Sequence, residues 1–324
     1  MKKALITGIN GFAGSHLADY IIDNRLAKVY GTYRGKSTDF SNIRQIRDKI
    51  SMVKCDVTDY FAVEKALREV KPDYVFHLAA QSYVPDSWKS PHETLESNTL
   101  GSLNLFEAIC RAVDPEIKVQ VASTSEVYGK VYENELPIKE TNQLRPLSPY
   151  GVSKAAMDLL AYQYFQSYGL KVVRTRAFNH AGPRRGEVFV DSNWAKQIAE
   201  IEMGLKEPVV LVGSLDSKRD FTDVRDVARA YWLAIEKGEP GEVYNICSGK
   251  THTMKSILDR LLSMTDKKIS IKEDPSRLRP SDVKVLLGDS TKFSQRTGWK
   301  PEIPLEKTMA DLMEYWREKI KRNC

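Results

Sequence analysis

A tyrosine and a lysine stand four residues apart in Tyr150-Gly151-Val152-Ser153-Lys154, so on a helix their side chains share one face. A tyrosine hydroxyl has a reference pKa of about 10, and acting as a base near pH 7 therefore costs about 4 kcal/mol. A protonated Lys154 beside it would stabilise the phenolate. Their predicted partner is Thr124, at the carboxyl end of a strand-like segment, where open α/β sheets place their chemistry. The pattern predicts a proton-transfer site, although a surface Tyr-Lys pair also arises by chance.

A glycine motif predicts where a second reactant binds. Gly8-Ile9-Asn10-Gly11-Phe12-Ala13-Gly14 follows the strand-like Ala4-Leu5-Ile6-Thr7 and opens a segment with helical periodicity. Such glycines allow a sharp turn, a close backbone approach to a pyrophosphate and tight packing of the helix on the strand. The helix N-terminus then presents free N–H groups to the phosphates. The motif predicts a dinucleotide site, with a plain glycine turn as the alternative.

The end of the second strand bears on which dinucleotide binds. An NAD site places an acidic residue there to hold the ribose 2′-hydroxyl. This chain instead has Tyr30-Gly31-Thr32-Tyr33-Arg34-Gly35-Lys36, without a carboxylate. The guanidinium of Arg34 suits a 2′-phosphate, which favours NADP over NAD. The alternative is a solvated basic loop.

Hydrophobic periodicity predicts the elements that position these residues. Strand-like and helix-like segments alternate along the first half of the chain, which predicts an α/β fold with a doubly wound parallel sheet of the Rossmann type. The predicted strands are Ala4–Thr7, Lys28–Thr32, Ser51–Cys55, Tyr74–Leu78, Lys118–Ala122 and Leu170–Arg176, and the predicted helices are 14–24, Phe61–Val70, Leu100–Val113, Tyr150–Tyr168 and Lys307–Lys321. We assign residues 1–178 to a dinucleotide-binding domain, to which a segment around 220–248 returns. Residues 179–324 form mainly a smaller substrate-binding domain.

The composition excludes several classes of protein. The 324 residues are 42% hydrophobic and 28% charged, as in an ordinary globular protein, and the formal net charge is +6. The basic residues are scattered, which argues against nucleic acid as the main partner. Four widely spaced cysteines argue against disulfides and a metal site. No apolar run reaches the ~18 residues of a membrane helix, and the chain enters a strand directly after Met1-Lys2-Lys3. We therefore expect a cytoplasmic enzyme without membrane contact.

The motifs together resemble the extended short-chain dehydrogenase/reductase family. Within it, the chain is most similar to GDP-mannose 4,6-dehydratases and GDP-4-keto-6-deoxymannose reductases, along essentially its whole length. The segments that carry this resemblance are Ala79-Ala80-Gln81-Ser82, Arg145-Pro146-Leu147-Ser148-Pro149-Tyr150-Gly151, Phe178-Asn179-His180, Pro183-Arg184-Arg185-Gly186, Arg219-Asp220-Phe221, Arg279-Pro280-Ser281-Asp282-Val283 and Gly298-Trp299-Lys300-Pro301.

The resemblance implies a role for specific residues. It implies that Thr124, Ser125, Glu126, Tyr150 and Lys154 are catalytic. The cofactor-binding residues, including the glycine motif and Arg34, are Gly8, Asn10, Gly11, Phe12, Ala13, Gly14, Arg34, Asp56, Val57, Leu78, Ala79, Ala80, Ser82, Tyr150, Lys154, His180 and Arg185. The substrate-binding residues are Ser82, Thr124, Asn179, Val190, Lys196, Arg219 and Arg279. The expected partners are a GDP-sugar and further copies of the chain, in a homodimer or homotetramer.

The choice between dehydratase and reductase depends on a second acid/base group. A 4,6-dehydration removes a hydride from C4 and a proton from C5, then eliminates the C6 hydroxyl and returns the hydride to C6. Thr124-Ser125-Glu126 resembles the dehydratase triplet in which the glutamate takes the C5 proton, and the Pro183–Gly186 loop also resembles dehydratases. Gly11-Phe12-Ala13-Gly14 departs from the dehydratase pattern, and Arg219-Asp220-Phe221, followed by Thr222-Asp223-Val224, resembles the reductases. We expect a GDP-sugar 4,6-dehydratase.

Two alternatives belong to different classes. A nucleotide-sugar reductase or epimerase would use the same Tyr150 and Lys154 without net elimination. A non-catalytic nucleotide-binding protein could keep the fold, since fold alone does not give function. The joint presence of Thr124, Glu126, Tyr150 and Lys154 argues against that second alternative.

Overall fold

A computed structural model of the protein describes residues 1–114, 116–277 and 283–323. Its strands are β1 (Lys3–Thr7), β2 (Lys28–Tyr33), β3 (Ser51–Lys54), β4 (Tyr74–His77), β5 (Lys118–Thr124), β6 (Val172–Ala177), β7 (Asn179–Ala181), β8 (Val209–Val212), β9 (Lys218–Asp223), β10 (Val243–Ile246), β11 (Thr251–Thr253), β12 (Ser270–Glu273) and β13 (Val285–Leu286). Its helices are α1 (Phe12–Asp23), α2 (Tyr60–Val70), α3 (Val84–Lys89), α4 (Pro91–Leu95), α5 (Gly101–Glu107), α6 (Pro149–Tyr168), α7 (Val190–Glu202), α8 (Val224–Lys237), α9 (Met254–Leu262), α10 (Thr291–Thr297) and α11 (Leu305–Asn323).

Seven of the described strands form one sheet in the order β10-β6-β5-β4-β1-β2-β3, and every neighbouring pair is parallel. The strand order reverses between β1 and β4. In an open α/β sheet, ligands bind at the carboxyl ends of the strands beside such a reversal. The predicted α/β fold with a doubly wound parallel sheet is confirmed, and its topology fixes where the site must lie.

Helices cover both faces of this sheet. On one face, α1 and α8 pack together over a core that includes Ile6, Leu17 and Tyr231. On the other face, α2, α5 and α6 cover a core that includes Leu105 and Met157. Strands that are buried on both faces are expected for a parallel sheet.

A smaller assembly follows the large sheet in sequence. Strand β9 pairs with β7, β11 and β13, and β8 pairs with β12. Helices α7, α9 and α11 share an apolar core with these strands. Between them, α8 and β10 return to the large sheet. On this basis we propose that residues 1–178 with 220–248 form the dinucleotide-binding domain and that the rest of 179–324 forms the substrate-binding domain.

The helix predicted over Leu100–Val113 begins earlier than the sequence indicates. The chain is already helical from Pro91, and two π-helical segments, Glu96–Leu100 and Ala108–Val113, flank α5. Proline suits a first helical position because its missing N–H has no partner there. The buried side chains of the first two turns are polar, among them Ser97 and Asn98, so hydrophobic periodicity could not detect them.

Helix α6 is held by a buried ionic cluster. Asp158 accepts hydrogen bonds from Arg174 (3.0 Å) and from Arg176 (2.9 Å), both on β6. Arg176 also donates to the hydroxyl of Tyr128 at 3.1 Å. Burial alone would raise the pKa of Asp158, but the two guanidinium groups outweigh it and hold the pKa below its usual range. The cluster therefore links the helix that carries Tyr150 and Lys154 to β6 of the large sheet.

Among the residues described, no helix combines the length and apolarity needed to cross a bilayer.

Candidate active site

A cleft of about 1230 Å³ lies at the carboxyl ends of the large sheet and extends to the smaller assembly. Every site residue that the sequence predicted lines this cleft except Arg279, which lies outside the described residues. Residues more than 200 positions apart in the sequence therefore face one cavity. Their roles are still predictions, whereas their proximity is a property of the fold.

The glycine motif forms the turn that the sequence predicted between β1 and α1. Gly8 has a φ of +70°, and the N–H of Gly11 donates to the Gly8 carbonyl at 3.0 Å. A Cβ on Gly14 would lie 2.4 Å from that same carbonyl oxygen, so only glycine allows this approach. Helix α1 begins at Phe12 without a side-chain cap. Its first N–H groups therefore face the cleft without intrahelical partners and suit an anion.

Arg34 lies at the far end of the cleft, directly after β2. Its Nε is 3.6 Å from a carboxylate oxygen of Asp56, and 73% of its side chain is exposed. Asp56 also accepts hydrogen bonds from the N–H and hydroxyl of Thr58. The guanidinium is thus oriented by Asp56 and still accessible to a phosphate.

Tyr150 lies in the first turn of α6, at the carboxyl end of β5. Ser148 caps this helix by accepting a hydrogen bond from the N–H of Gly151 at 3.0 Å. Burial raises the pKa of the Tyr150 hydroxyl, and the carboxylate of Glu126 raises it further, whereas a hydrogen bond with Thr124 acts in the opposite direction. In this state the hydroxyl is a proton donor, and it needs a nearby positive charge to act as a base.

Lys154 is the nearby source of positive charge. Its Nζ donates to the carbonyl oxygen of Ala122 at 2.8 Å and lies 3.8 Å from the sulfur of Met157. Burial lowers its pKa to about 8, so the ammonium is still mostly protonated at neutral pH. Lys154 lies one helical turn after Tyr150, and its positive charge also lowers the pKa of the buried His77.

Glu126 lies in a short 3-10 turn, Ser125–Val127, that continues β5. The turn packs closely on the start of α6: a Cβ on Gly151 would be 2.9 Å from the Glu126 carbonyl oxygen. The carboxylate of Glu126 raises the pKa of Tyr150, so the two groups are electrostatically coupled. The site therefore contains two groups able to move protons.

His77, the last residue of β4, has a structural role. Its Nδ1 and the Thr7 hydroxyl are 2.9 Å apart, and its Nε2 is 2.9 Å from the hydroxyl of Ser102. Ser102 in turn donates to the carbonyl of Asn98 at 2.6 Å. Burial and the nearby Lys154 lower the pKa of His77 to about 3. The neutral imidazole ties β1 and β4 to the helical segment around Asn98.

An aromatic and cationic group closes one wall of the cleft. The ring of His180 stacks on Phe12 with a centroid separation of 5.7 Å, and Arg185 lies between the rings of Phe12 (5.5 Å) and Phe189 (4.5 Å). Burial and Arg185 together lower the pKa of His180 to about 4. Arg185 is also 3.1 Å from Asp191. Neither Phe189 nor Asp191 was predicted as a partner of Arg185.

The smaller assembly supplies the opposite end of the cleft, with Arg219, Lys196, Asn179 and Val190 among its lining residues. Lys196 forms an ion pair with Glu187 and a longer one with Glu200 at 3.6 Å. Sequence reasoning missed two further polar residues here: Arg277 donates to the side-chain oxygen of Asn193 at 2.7 Å. Neither belongs to a motif that could have indicated it.

The residues compose two chemical regions. One region combines a glycine turn, a helix N-terminus and Arg34, which suits a phosphorylated dinucleotide. The other places a tyrosine, a buried lysine and a carboxylate at one point of the cleft, which suits oxidation of an alcohol coupled to proton transfer.

Comparison with known proteins agrees with this geometry. The profile of the GDP-mannose 4,6 dehydratase family matches residues 5–312. The chain belongs to this family.

Relatives within the GDP-mannose 4,6 dehydratase family carry different activities. A GDP-6-deoxy-D-mannose reductase from Pseudomonas aeruginosa is 32% identical over 320 residues, covering 99% of each chain. A GDP-mannose 4,6-dehydratase from Yersinia enterocolitica is 32% identical over 352 residues, covering 97% of this chain and 93% of that protein. The structure of RMD from Pseudomonas aeruginosa complexed with NADPH superimposes with a TM-score of 0.83 at 31% identity, covering 98% of this chain and all of that one. The family resemblance that the motifs indicated is confirmed.

Proposed function

We propose that the protein is an NADP-dependent GDP-sugar 4,6-dehydratase that converts GDP-mannose or a close relative to its 4-keto-6-deoxy product. The observation that carries the proposal is the pairing of Tyr150 with Glu126, because a dehydratase needs a second acid/base group. A bound nicotinamide cofactor would accept the hydride from C4 and return it to C6. The glycine turn, the α1 N-terminus and Arg34 would hold it.

Tyr150 begins the reaction in this proposal. Its hydroxyl, deprotonated with the help of the positive charge on Lys154, accepts the proton of the C4 hydroxyl while C4 loses its hydride. Thr124 holds the phenol through its hydrogen bond. The resulting C4 ketone makes the C5 hydrogen acidic.

Glu126 performs the next proton transfer. Its carboxylate removes the C5 proton and then passes it to the C6 hydroxyl, which leaves as water. The hydride taken from C4 would be returned to C6. C5 takes up one proton, which matches the proton that Tyr150 accepted from the C4 hydroxyl, so Tyr150 and Glu126 both return to their starting states. Atoms and electrons balance without an external reductant.

The test follows the hydride. Purified protein incubated with GDP-mannose should form a 4-keto-6-deoxy sugar without added NADPH, as detected by mass spectrometry and NMR of the product. A protein that leaves GDP-mannose untouched, and that consumes one NADPH for each 4-keto-6-deoxy substrate supplied, would be a reductase instead.

The reductase is the second candidate because one specific observation favours it. The Pseudomonas aeruginosa reductase aligns with the chain from end to end, whereas the Yersinia enterocolitica dehydratase has a longer alignment and extends beyond it. In a reductase, Tyr150 would donate a proton to the C4 oxygen, and Glu126 would only orient the substrate.

Replacing Glu126 with glutamine separates the two candidates. In a dehydratase, the amide cannot accept the C5 proton, so product formation should fall by about 10²-fold, a typical contribution of one acid/base group. Reversible oxidation at C4 should continue and yield a small, constant population of reduced cofactor, measured by absorbance. Nearly normal rates in the variant would remove Glu126 from the mechanism.

Replacing Arg34 with alanine tests the choice of cofactor. A charge-assisted hydrogen bond to the 2′-phosphate contributes about 1.5 to 3 kcal/mol, so affinity for NADP should fall by that amount while affinity for NAD stays nearly unchanged. Calorimetric titration with both cofactors measures the difference. Equal losses for NADP and NAD would show that Arg34 does not contact the 2′-phosphate.

We also propose that the protein is a cytoplasmic homo-oligomer built from dimers. The helical segment 91–113 packs against α6, and this helical pair exposes the apolar side chains of Leu95, Leu100, Val152 and Leu159. The same helical pair on a second copy would cover these apolar side chains around a two-fold axis.

Leu159 is 56% exposed, so Leu159→Glu should give a species of 36.8 kDa in sedimentation, against at least twice that mass for the unaltered chain. If the Leu159→Glu variant and the unaltered chain sediment with the same mass, the interface lies elsewhere.

A further inference from the structure

Tyr231 has a buried side chain whose hydroxyl forms no hydrogen bond with a protein group among the residues that the structure describes, and this oxygen is not among the polar atoms sealed off from solvent. Its side chain is 2% exposed. The other deeply buried tyrosines, apart from Tyr150, bond to protein groups: Tyr74 to Glu236, Tyr128 to Asn245, Tyr164 to Glu107 and Tyr244 to the N–H of Glu239. The hydroxyl of Tyr231 is therefore available to a molecule bound in the cleft.

The Tyr231 side chain lines the same cleft as Tyr150. Burial raises the pKa of Tyr231 and the neighbouring Tyr150 raises it further, so the two phenols lie within electrostatic reach of one another. Tyr231 therefore stays neutral at physiological pH. A neutral hydroxyl can both donate and accept one hydrogen bond, and it suits a neutral polar group.

The position of α8 indicates which molecule Tyr231 meets. Helix α8 packs against α1, β5 and β6, and Tyr231 belongs to the core of that sheet face. Its hydroxyl thus reaches the cleft from the dinucleotide side. The substrate-side residues Arg219 and Lys196 belong to the smaller assembly, at the other end of the cleft.

We propose that the Tyr231 hydroxyl binds the carboxamide of the nicotinamide ring and so helps to fix the ring beside Tyr150. This inference rests on the proposed function, since it requires a nicotinamide cofactor. A carboxamide offers one acceptor and one donor group, which a hydroxyl can pair with directly. The contact gives the Tyr231 hydroxyl a hydrogen-bond partner when the cofactor is bound.

The test compares two ligands that differ only in the nicotinamide. NADPH carries the ring, whereas 2′-phospho-ADP-ribose has the same adenosine, phosphates and ribose without it. Replacing Tyr231 with phenylalanine should weaken NADPH roughly 3- to 10-fold, the value of one neutral hydrogen bond, and leave 2′-phospho-ADP-ribose unchanged in calorimetric titrations. Unchanged affinity for NADPH, or an equal loss for both ligands, would overturn the proposal.

Tyr244→Phe is the matched control. Tyr244 is also 2% exposed and lies in the same core, but its hydroxyl bonds to a protein N–H at 3.2 Å. This variant should melt at a lower temperature and bind both ligands normally. Without cofactor, the Tyr231→Phe variant should have the same melting temperature as the unaltered protein, because it loses no hydrogen bond to a protein group. A melting temperature lowered as much as that of Tyr244→Phe would count against the proposal. If the unaltered protein binds neither NADPH nor NADH, the proposed function itself fails, which is visible before any variant is made.

Discussion

Replacing Tyr150 with phenylalanine should lower kcat by about 10²- to 10⁴-fold, the range in which positioned acid/base groups contribute. The variant keeps the ring that packs at the start of α6 and loses only the hydroxyl that gives or takes the C4 proton. Its melting temperature and its affinity for NADPH should therefore stay close to those of the unaltered protein. Steady-state kinetics with a calorimetric titration measures both quantities.

The matched control for this variant is Tyr162→Phe. Tyr162 lies on the same helix, is 44% exposed and faces away from the cleft-lining residues. The kcat of the Tyr162→Phe variant should equal that of the unaltered protein. A Tyr150→Phe protein that turns over within tenfold of the unaltered chain would assign the proton transfer to another group, and the Tyr-Lys pair would then be a structural feature of α6.

Replacing Asp158 with asparagine should destabilise the fold by roughly 3 to 5 kcal/mol, because it leaves Arg174 and Arg176 buried without a counter-charge. Asparagine preserves the shape of the side chain, so the loss comes from charge. The pKa of Asp158 is lower in the folded state than in the unfolded chain. Its contribution is therefore present above the unfolded pKa of about 4 and is lost as the pH falls through the folded value.

Urea unfolding at neutral pH measures this effect, and Glu64→Gln provides the control. Glu64 pairs with Arg68 one turn away on α2, where the arginine side chain is 58% exposed. Surface pairs of this kind contribute about 0 to 1 kcal/mol. If Asp158→Asn lowers the free energy of unfolding no more than Glu64→Gln does, water or another group must neutralise the two arginines.

The sequence predicted the parts of the site that local spacing determines. Gly8 to Gly14 and the Tyr150–Lys154 pair each lie within one turn or helix, so their geometry follows from the backbone that they occupy. The parallel sheet then brings the ends of β1 and β5 to one edge, as its topology requires. Fold class and family were predictable for the same reason.

Contacts between distant segments were not predictable. Arg185 meets Phe12 only because the chain after β7 folds back over α1, and no periodicity encodes that approach. Tyr231 occupies a position in α8 that reads as an ordinary core residue of an amphipathic helix. Only the missing hydrogen-bond partner distinguishes it, and that is a property of the folded molecule.

The return of β10 to the large sheet affects how a nascent chain can fold. Strand β6 pairs with β10 along its free edge, and α8 covers the sheet face that α1 leaves open. A ribosome that has made only the first 178 residues has therefore produced a sheet with an unpaired edge and a bare apolar face. Such a surface invites aggregation until residue 246 has emerged. Fragments of the protein that end near residue 178 should therefore be insoluble. A soluble truncated protein must extend through β10.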